Sequence, residues 1–362
     1  MDSIKSKLKH RIHVLFVSIL IGANIATIML MWASCLTTEL SPIIHPRLSQ
    51  AGLLFPVFLA INISFILVWL FVSWKWLLLP IIGIIGCWNY VRDYCPLNLG
   101  RAKEDGIIIL SYNVANFFTD ESNDMDGQRT MEYILESNAD IICLQECPKG
   151  GNIFQKLKER MEANGYKTKF AHGLRIFSKW PFIGKAIHEE SKDTGNGSLA
   201  WMINIDGDTT LIINSHLQSN GISEEEKDVY ENAIERYDQE QMKATGKLLL
   251  SRLSKAASKR ANQTDTLCSI IKQYERHSII ATGDMNDTPI SYTFQAISGY
   301  LNSAFTESGN GLGISFIRKG FPVRIDHIFV SKNLKTSSTY IDSKIESSDH
   351  HPILTRVYKS AK

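Results

Sequence analysis

Three apolar runs near the N-terminus set the strongest limit on how this chain can fold. Inside a bilayer the backbone must satisfy every N–H and C=O from within, so a chain that enters lipid does so as helices or a closed barrel. The first run extends from about residue 13 to 35 and is broken only by small or weakly polar residues such as Ser18, Asn24 and Thr27. About 20 apolar residues are enough to cross the hydrocarbon. A second run covers 53–73, with Trp69 and Trp74 near its end, and a third covers 77–90. Trp74-Lys75-Trp76 separates them, and such residues fit a membrane–water interface. The third run is the shortest and contains Pro80, Gly83 and Gly86. It reads as a span, with a re-entrant segment as the alternative. A cleaved signal peptide fits the first run poorly, because the run is too long and no A-x-A-like site follows. A buried helical bundle is disfavoured by the length of the runs and their lack of charge.

Charge gives an orientation. Lys5, Lys7, Lys9 and Arg11 precede the first run, and basic flanks stay in the cytoplasm. Three crossings then carry everything after residue 91 to the far side. Arg92, Arg101 and Lys103 pull the other way, and two crossings would leave the remainder in the cytoplasm.

Residues 1–103 hold nine Lys/Arg and three acids, which leaves 30 Lys/Arg against 34 Asp/Glu beyond them. A net acidic second half argues against a sequence-blind grip on duplex nucleic acid, which rests on many Lys/Arg–phosphate contacts. The six cysteines show no C-x-x-C zinc spacing.

From Gly106 the pattern changes to short strands and amphipathic helices. Ile107–Asn113, Asp140–Gln145, Leu174–Ser178, Trp201–Ile205, Leu211–Ser215 and Ser278–Thr282 read as strands, with two more near 324–330 and 353–358. Residues 127–138 read as a helix with Met131, Ile134 and Leu135 on one face, and Ile153, Phe154, Leu157 and Met161 recur at helical spacing. The charged stretch 224–259 reads as a solvated helical insertion ahead of a helix at 264–274.

Polar residues gather at the strand ends. Asn113 ends one strand and Glu146 follows another. His216 closes a third, and Asp284 and Asn286 follow Gly283, which lets the backbone turn. If extended geometry persists there, Asp284 and Asn286 share a face. Asp326 interrupts a further strand, and Asp349 and His350 precede the last. Each has a plain alternative: a turn, a helix cap, a satisfied core histidine, an Asp326–Arg324 pair. Five polar strand ends in one unit are harder to dismiss, because folds collect functional groups where strands meet loops. The chemistry is coherent. A hard divalent cation takes oxygen ligands, which Asn113 and Glu146 can supply. Asp284 can take a proton from water, and a histidine can bind a phosphate oxygen or protonate a leaving group. An acid behind that histidine fixes its tautomer.

In order along the chain, Asn113, Leu144-Gln145-Glu146, Ile176-Phe177-Ser178-Lys179-Trp180-Pro181, Asn214-Ser215-His216-Leu217, Gly283-Asp284-Met285-Asn286, Asp326-His327-Ile328 and Ser348-Asp349-His350-His351-Pro352 form a series. It resembles the endonuclease/exonuclease/phosphatase superfamily, the DNase I-like fold, over about residues 104–360. The resemblance implies an α+β fold: a four-layer αββα sandwich with its site at one end of two packed sheets. It implies Glu146 as the main metal ligand with Asn113 and Asp349 nearby, and Mg²⁺ as the cofactor with Mn²⁺ as the alternative. Asp284 would orient and deprotonate water, with Asn286 beside it on the phosphate. His350 would contact the scissile phosphate, held by Asp326, and His216 would contact phosphate or serve the leaving group. Met285 stands where Phe is usual. The run Asn286 to Tyr292 is similar to one in membrane-anchored bacterial members with three N-terminal spans, which implies a multi-pass protein of a bacterial inner membrane.

The expected organisation is therefore a membrane anchor over 1–91 (spans at about 13–35, 53–73 and 77–90), a linker over 92–105 and a catalytic domain over 106–360, outside the cytoplasm. The expected activity is that of a divalent-metal-dependent phosphoesterase acting on a lipid head group, a small phosphodiester or nucleic acid. An extracytoplasmic endo- or exonuclease is the nearest alternative, and an inactive membrane-tethered binding domain the non-enzymatic one. Abasic-site nucleases of the family carry a Tyr-Pro-Gly/Asn-type segment before the histidine strand. Here Asn204-Ile205-Asp206-Gly207-Asp208 stands instead, which weakens a DNA-repair reading. No protein partner is inferable.

Overall fold

The computed structural model describes residues 2–100, 105–118, 124–189, 195–221, 239–317 and 322–360. The apolar runs form helices α1 (Asp2–Leu36), α2 (Phe55–Val72), α3 (Leu78–Ile85) and α4 (Trp88–Tyr94). Lys5–Glu39 and Leu48–Val72 are long and apolar enough to cross a membrane; Trp74–Ile85 and Trp88–Tyr94 qualify only together, as a pair bent by 70°. The third expected span is thus a bent pair, the form of a broken span or of a re-entrant loop. Its break has a local cause: the Cys87 N–H turns to the Ile84 carbonyl, and the Gly83 carbonyl instead accepts Trp32 Nε1–H from α1 at 2.7 Å. A side chain inserted into the helical ladder kinks it.

Helices α1 and α2 are pinned by polar groups. Asn24 Nδ2 donates to Asn62 Oδ1 at 2.9 Å, Trp69 Nε1 donates to Asn24 Oδ1 at 3.0 Å, and Asn62 Nδ2 donates to the Phe58 carbonyl at 2.8 Å. Between these helices residues 48–54 form a 3₁₀ segment.

Beyond the anchor, twelve strands among the described residues build two six-stranded sheets. In chain order they are β1 (Ile107–Asn113), β2 (Ile141–Gln145), β3 (Lys167–Ala171), β4 (Leu174–Ser178), β5 (Phe182–Glu189) and β6 (Gly197–Ile205). They continue as β7 (Asp208–His216), β8 (Ser278–Asp284), β9 (Asn302–Ser303), β10 (Asp326–Val330), β11 (Leu334–Ile341) and β12 (Ile353–Lys359). The sheet orders are β11-β12-β1-β2-β4-β3 and β5-β6-β7-β8-β10-β9.

Alternation along the strands makes the layers. Ile109, Ile141, Ile176, Ile212, Ile280 and Ile328 meet between the sheets. Their neighbours Leu110, Ile142 and Phe177 face outward onto α5 (Asp124–Glu136) and α6 (Asn152–Ala163), whose Ile134, Phe154 and Leu157 cover them. On the other side Leu211, Ile213 and Ile279 pack on α7 (Gln239–Gln273) and α8 (Tyr292–Ser298) through Leu267, Ile271 and Phe294. The result is the four-layer αββα sandwich with apolar helices ahead of it.

Two expected features differ. Residues 239–259 are not a separate solvated insertion. They belong to a single 35-residue helix with 264–273, while 222–238 lies outside the described residues. The charges of this helix mask a helical stripe of buried Leu249, Ala256, Ala257, Arg260, Ala261 and Thr264. Nor are residues 92–98 a loose linker. Asp93 accepts Gln295 Nε2–H at 3.0 Å and Thr306 Oγ1–H at 3.1 Å, the Arg324 guanidinium bonds the Asp93 carbonyl, and Asn98 Nδ2 donates to the Gly309 carbonyl at 2.6 Å. Of the expected linker, 101–104 lies outside the described residues.

The anchor and the sandwich also meet at the 3₁₀ segment. A Cβ on Gly52 would overlap the Ile290 carbonyl oxygen, so only glycine lets the two backbones sit this close. Ile290 itself packs in the anchor's core with Met31, Cys35, Phe55, Leu59 and Cys87. Ser258 of α7 adds a bond to the Pro42 carbonyl at 2.7 Å.

Candidate active site

Strand register brings the polar strand ends together. In the second sheet Asp284 is directly paired with His216 of β7 on one side and Asp326 of β10 on the other. In the first sheet Asn113 pairs with Gln145, which sets Glu146 one residue past the strand end. β12 runs antiparallel to β1, so the loop carrying Asp349 and His350 arrives at the same rim. That loop is pinned there: Ser348 Oγ–H donates to the Asn113 carbonyl at 2.8 Å, and the His350 N–H donates back to Ser348 Oγ at 3.2 Å.

Gly283 is not a turn residue but lies within β8, at φ 138°, where a Cβ would overlap the Ser215 carbonyl oxygen. The close approach of β7 and β8 therefore requires glycine. Extended geometry does not persist beyond it: Asn286 has φ 52° and Glu146 φ 48°, left-handed conformations uncommon for such residues and frequent at working sites. Asp284 and Asn286 meet by a local bond instead, Asn286 N–H to Asp284 Oδ1 at 2.8 Å, while Asn286 Nδ2 donates to the Leu217 carbonyl at 3.0 Å.

The other oxygen of Asp284 is the centre of the constellation. Asp284 Oδ2 lies 3.1 Å from Asn113 Nδ2, 3.6 Å from His350 Nε2 and 3.7 Å from His216 Nε2. Asn113 Nδ2 also donates to Glu146 Oε1 at 3.1 Å, and its Oδ1 accepts the Ala115 N–H at 3.0 Å. In this orientation the Asn113 amide clamps the two carboxylates with its N–H groups. His216 Nε2 stands 3.6 Å from Glu146 Oε1 as well. Behind His350, Asp326 Oδ2 takes the Nδ1 proton at 2.8 Å. Burial alone would push the His350 imidazole down, but the adjacent Asp326 and Asp284 carboxylates prevail and raise it to about 10. His350 therefore stands as an imidazolium at neutral pH. Asp326 is aligned in turn by Ser315 Oγ, which accepts its N–H at 3.1 Å. The plain alternative, an Asp326–Arg324 pair, does not form: Arg324 holds the Leu312 carbonyl at 2.6 Å and the Asp93 and Tyr94 carbonyls.

Glu146, Asp284, Asn286, Asp349, His216 and His350 open into one cavity of about 620 Å³. Asn113 and Asp326 sit directly behind it, both fully buried. Among its described lining residues the only Lys or Arg is Arg260. That guanidinium is committed to Asp287 Oδ2 at 3.4 Å, the Gln218 carbonyl at 2.9 Å and Asn220 Oδ1 at 2.8 Å. The surplus of carboxylate in a partly buried site calls for a cation, and an oxygen-rich donor set suits a hard divalent one. Among the described residues one trio, Asp284, Asp326 and His350, has ligand-type atoms all within 4.8 Å of one another. Asp326 Oδ2 and His350 Nδ1 already bond each other. Glu146 and Asp349 line the same cavity as Asp284.

Sequence reasoning did not identify Arg260, Gln50 and Leu53, all of which line the cavity. It also missed a buried tie between the sheets: Gln145 Nε2 donates to Asn214 Oδ1 at 2.6 Å, and Asn214 Nδ2 to the Leu144 and Arg175 carbonyls at 2.9 and 3.0 Å. The tie lies one residue inward from Glu146 and two from His216, and holds their strands in place. Asn214 stood in a quoted motif, but nothing local announced its partner.

Comparison with known proteins agrees with this architecture. No curated protein matches the chain. Residues 17–94 match a family described as a Domain of unknown function (DUF8431). Among solved structures, an endonuclease/exonuclease/phosphatase from Beutenbergia cavernae is similar at 14% identity and TM-score 0.50, covering 72% of each chain. A humanized D. rerio TDP2 is similar at 16% identity and TM-score 0.51, over 70% of this chain and 99% of that one. The human Nocturnin catalytic domain, solved with a bound sulfate anion, gives 17% identity and TM-score 0.50, over 72% and 97%. At such identities the likeness establishes the fold, which is DNase I-like. The profile described as Endonuclease/Exonuclease/phosphatase family matches residues 110–350, from β1 to His350 of the rim; on that match the chain belongs to the endonuclease/exonuclease/phosphatase family.

Proposed function

We propose that this protein is a membrane-anchored, divalent-metal-dependent phosphoesterase. The observation that carries the reading is the position of Asp284: a buried carboxylate with one oxygen fixed by the Asn286 N–H and the other turned toward two histidines and a clamped glutamate. Glu146 and Asp349 would hold the cation, Mg²⁺ by preference, with Asn113 keeping Glu146 in place. When bound, it supplies charge neutralisation to a phosphoryl oxygen. Asp284 Oδ2 accepts a proton from the attacking water, whose oxygen bonds to phosphorus as an ester P–O bond breaks. The His350 imidazolium, oriented by Asp326, donates Nε2–H to the phosphoryl group as charge builds there. His216 stands by the leaving oxygen, which takes its proton from solvent water. Asn286 flanks the phosphate.

The two long apolar helices support anchoring, and, with the bent pair Trp74–Ile85 and Trp88–Tyr94 taken as a third crossing, the basic N-terminus supports a catalytic domain outside the cytoplasm. A bacterial inner membrane fits this arrangement.

The test uses the full chain in detergent, with bis-p-nitrophenyl phosphate and Mg²⁺. Turnover should vanish with chelator and return with Mg²⁺. Asp284→Asn should lower it by about 10²–10⁴-fold, the range for loss of a general base. Metal-independent turnover, or full activity in Asp284→Asn, would sink the assignment.

A further inference from the structure

We propose that the substrate is a lipid phosphoester whose apolar chains lie along a wall shared by the membrane anchor and helix α7. This rests on the phosphoesterase reading above and names the substrate class of that same site. The cavity that presents Glu146, Asp284 and His350 is not enclosed by the catalytic domain alone. Gln50 and Leu53, from the 3₁₀ segment between the two long apolar helices, form part of its lining. Helix α7 contributes Leu249, Leu250 and Leu253 to the same space. One part of the cavity is thus carboxylate and imidazole, and another is leucine. That is the polarity of a molecule with a phosphate at one end and hydrocarbon at the other.

Leucines near the lining residues in the chain are exposed. Leu48, Leu54 and Leu248 are 57%, 50% and 45% exposed. Leu48 and Leu54 bound the segment that joins α1 to α2. Such apolar exposure is costly in water and natural at a bilayer surface. The seating is firm, because Gly52 lies against the Ile290 carbonyl, a few residues past Asp284 in the chain. The position of the headgroup end relative to the bilayer is therefore built in.

Charge points the same way. A nucleic-acid strand is gripped through several Lys/Arg–phosphate contacts. Among the described lining residues Arg260 is the only such cation, and Asp287 already pairs with it at 3.4 Å. A lipid needs a place for one phosphate and supplies the rest of its binding through its chains. In hydrolysis, water oxygen joins phosphorus, the P–O ester bond breaks, Asp284 takes the proton of the attacking water and the leaving oxygen takes one from solvent water.

The test measures kcat/KM with Mg²⁺ for two series of probes, diacylglycerol phosphates and phosphatidylglycerols, with short acyl chains of increasing length kept monomeric in solution. Bis-p-nitrophenyl phosphate and a single-stranded oligonucleotide run alongside. For at least one series, kcat/KM should climb with each added methylene, up to roughly fourfold per buried group. Leu53→Asp and Leu250→Asp, placed on different segments, should each flatten that climb. Cleavage of the nitrophenyl ester or the oligonucleotide, with neither lipid series hydrolysed or with no dependence on chain length, overturns the lipid proposal and leaves the phosphoesterase standing. Failure to hydrolyse any of the four with metal overturns both.

Discussion

The apolar helices and the polar rim of the sandwich both bury polar side chains, with different results. Between α1 and α2, Asn24, Asn62 and Trp69 answer one another in a closed set of bonds at 2.9–3.0 Å. At the rim, His216 Nδ1 and Asp326 Oδ1 are buried without a hydrogen-bond partner among the described residues, and Asp284 Oδ2 faces three neighbours at 3.1–3.7 Å. A closed network spends its capacity on cohesion, as expected where no water is at hand. An open one keeps capacity for something that arrives. The same residue type plays both parts: Asn24 holds two helices together, while Asn113 holds two acids in readiness.

That contrast can be broken at the rim first. Asp326→Asn should cut turnover on the order of tenfold to a hundredfold, as loss of alignment at a reacting centre does. It should also move the pH profile in a definite direction. Carboxylate neighbours raise His350 to about 10, so the imidazolium persists until pH passes that value. Without the Asp326 charge the proton is held less tightly, and the alkaline limb should shift to lower pH. A profile unmoved by the substitution would mean that His350 is not the group donating to phosphate.

The boundary between the regions comes next. Gly52→Ala forces a Cβ into the Ile290 carbonyl oxygen, and overpacking of this kind costs about 1–3 kcal/mol. Thermal unfolding of the full chain in detergent should show a lower Tm; an unchanged Tm would argue against a tight junction. The smallest effect belongs inside the anchor. Asn24→Leu should destabilise helix packing by about 1 kcal/mol, read as a modest fall in Tm, with turnover as in the wild type. A loss of activity there would show that the closed network does more than hold helices together.

Much of this was legible in the residue order because the signals are local. The apolar runs announced helices, and six of the rim residues announced themselves by standing at strand ends. Asn113, Glu146, His216, Asp284, Asp326 and His350 do meet, because strand register carries each end to a common rim. What stayed hidden depends on pairings between distant segments. The bend after α3 needs Trp32 from α1. The docking of residues 92–98 needs Gln295, Thr306 and Arg324. The stripe along α7 was obscured by its charges, and Arg260 had no motif to mark it. Asp284 and Asn286 reached the same cavity by a bond from the N–H of Asn286, itself left-handed, not by the alternation that had placed them on one face.

The seat of Gly52 on Ile290 has a practical consequence for anyone dissecting this protein. A fragment trimmed to begin after the apolar helices would not be a smaller version of the same enzyme. It would lack Gln50 and Leu53 from its cleft and would turn Ile290, buried in the intact chain, toward solvent. Measurements on such a fragment would describe a cleft short of two of its lining residues.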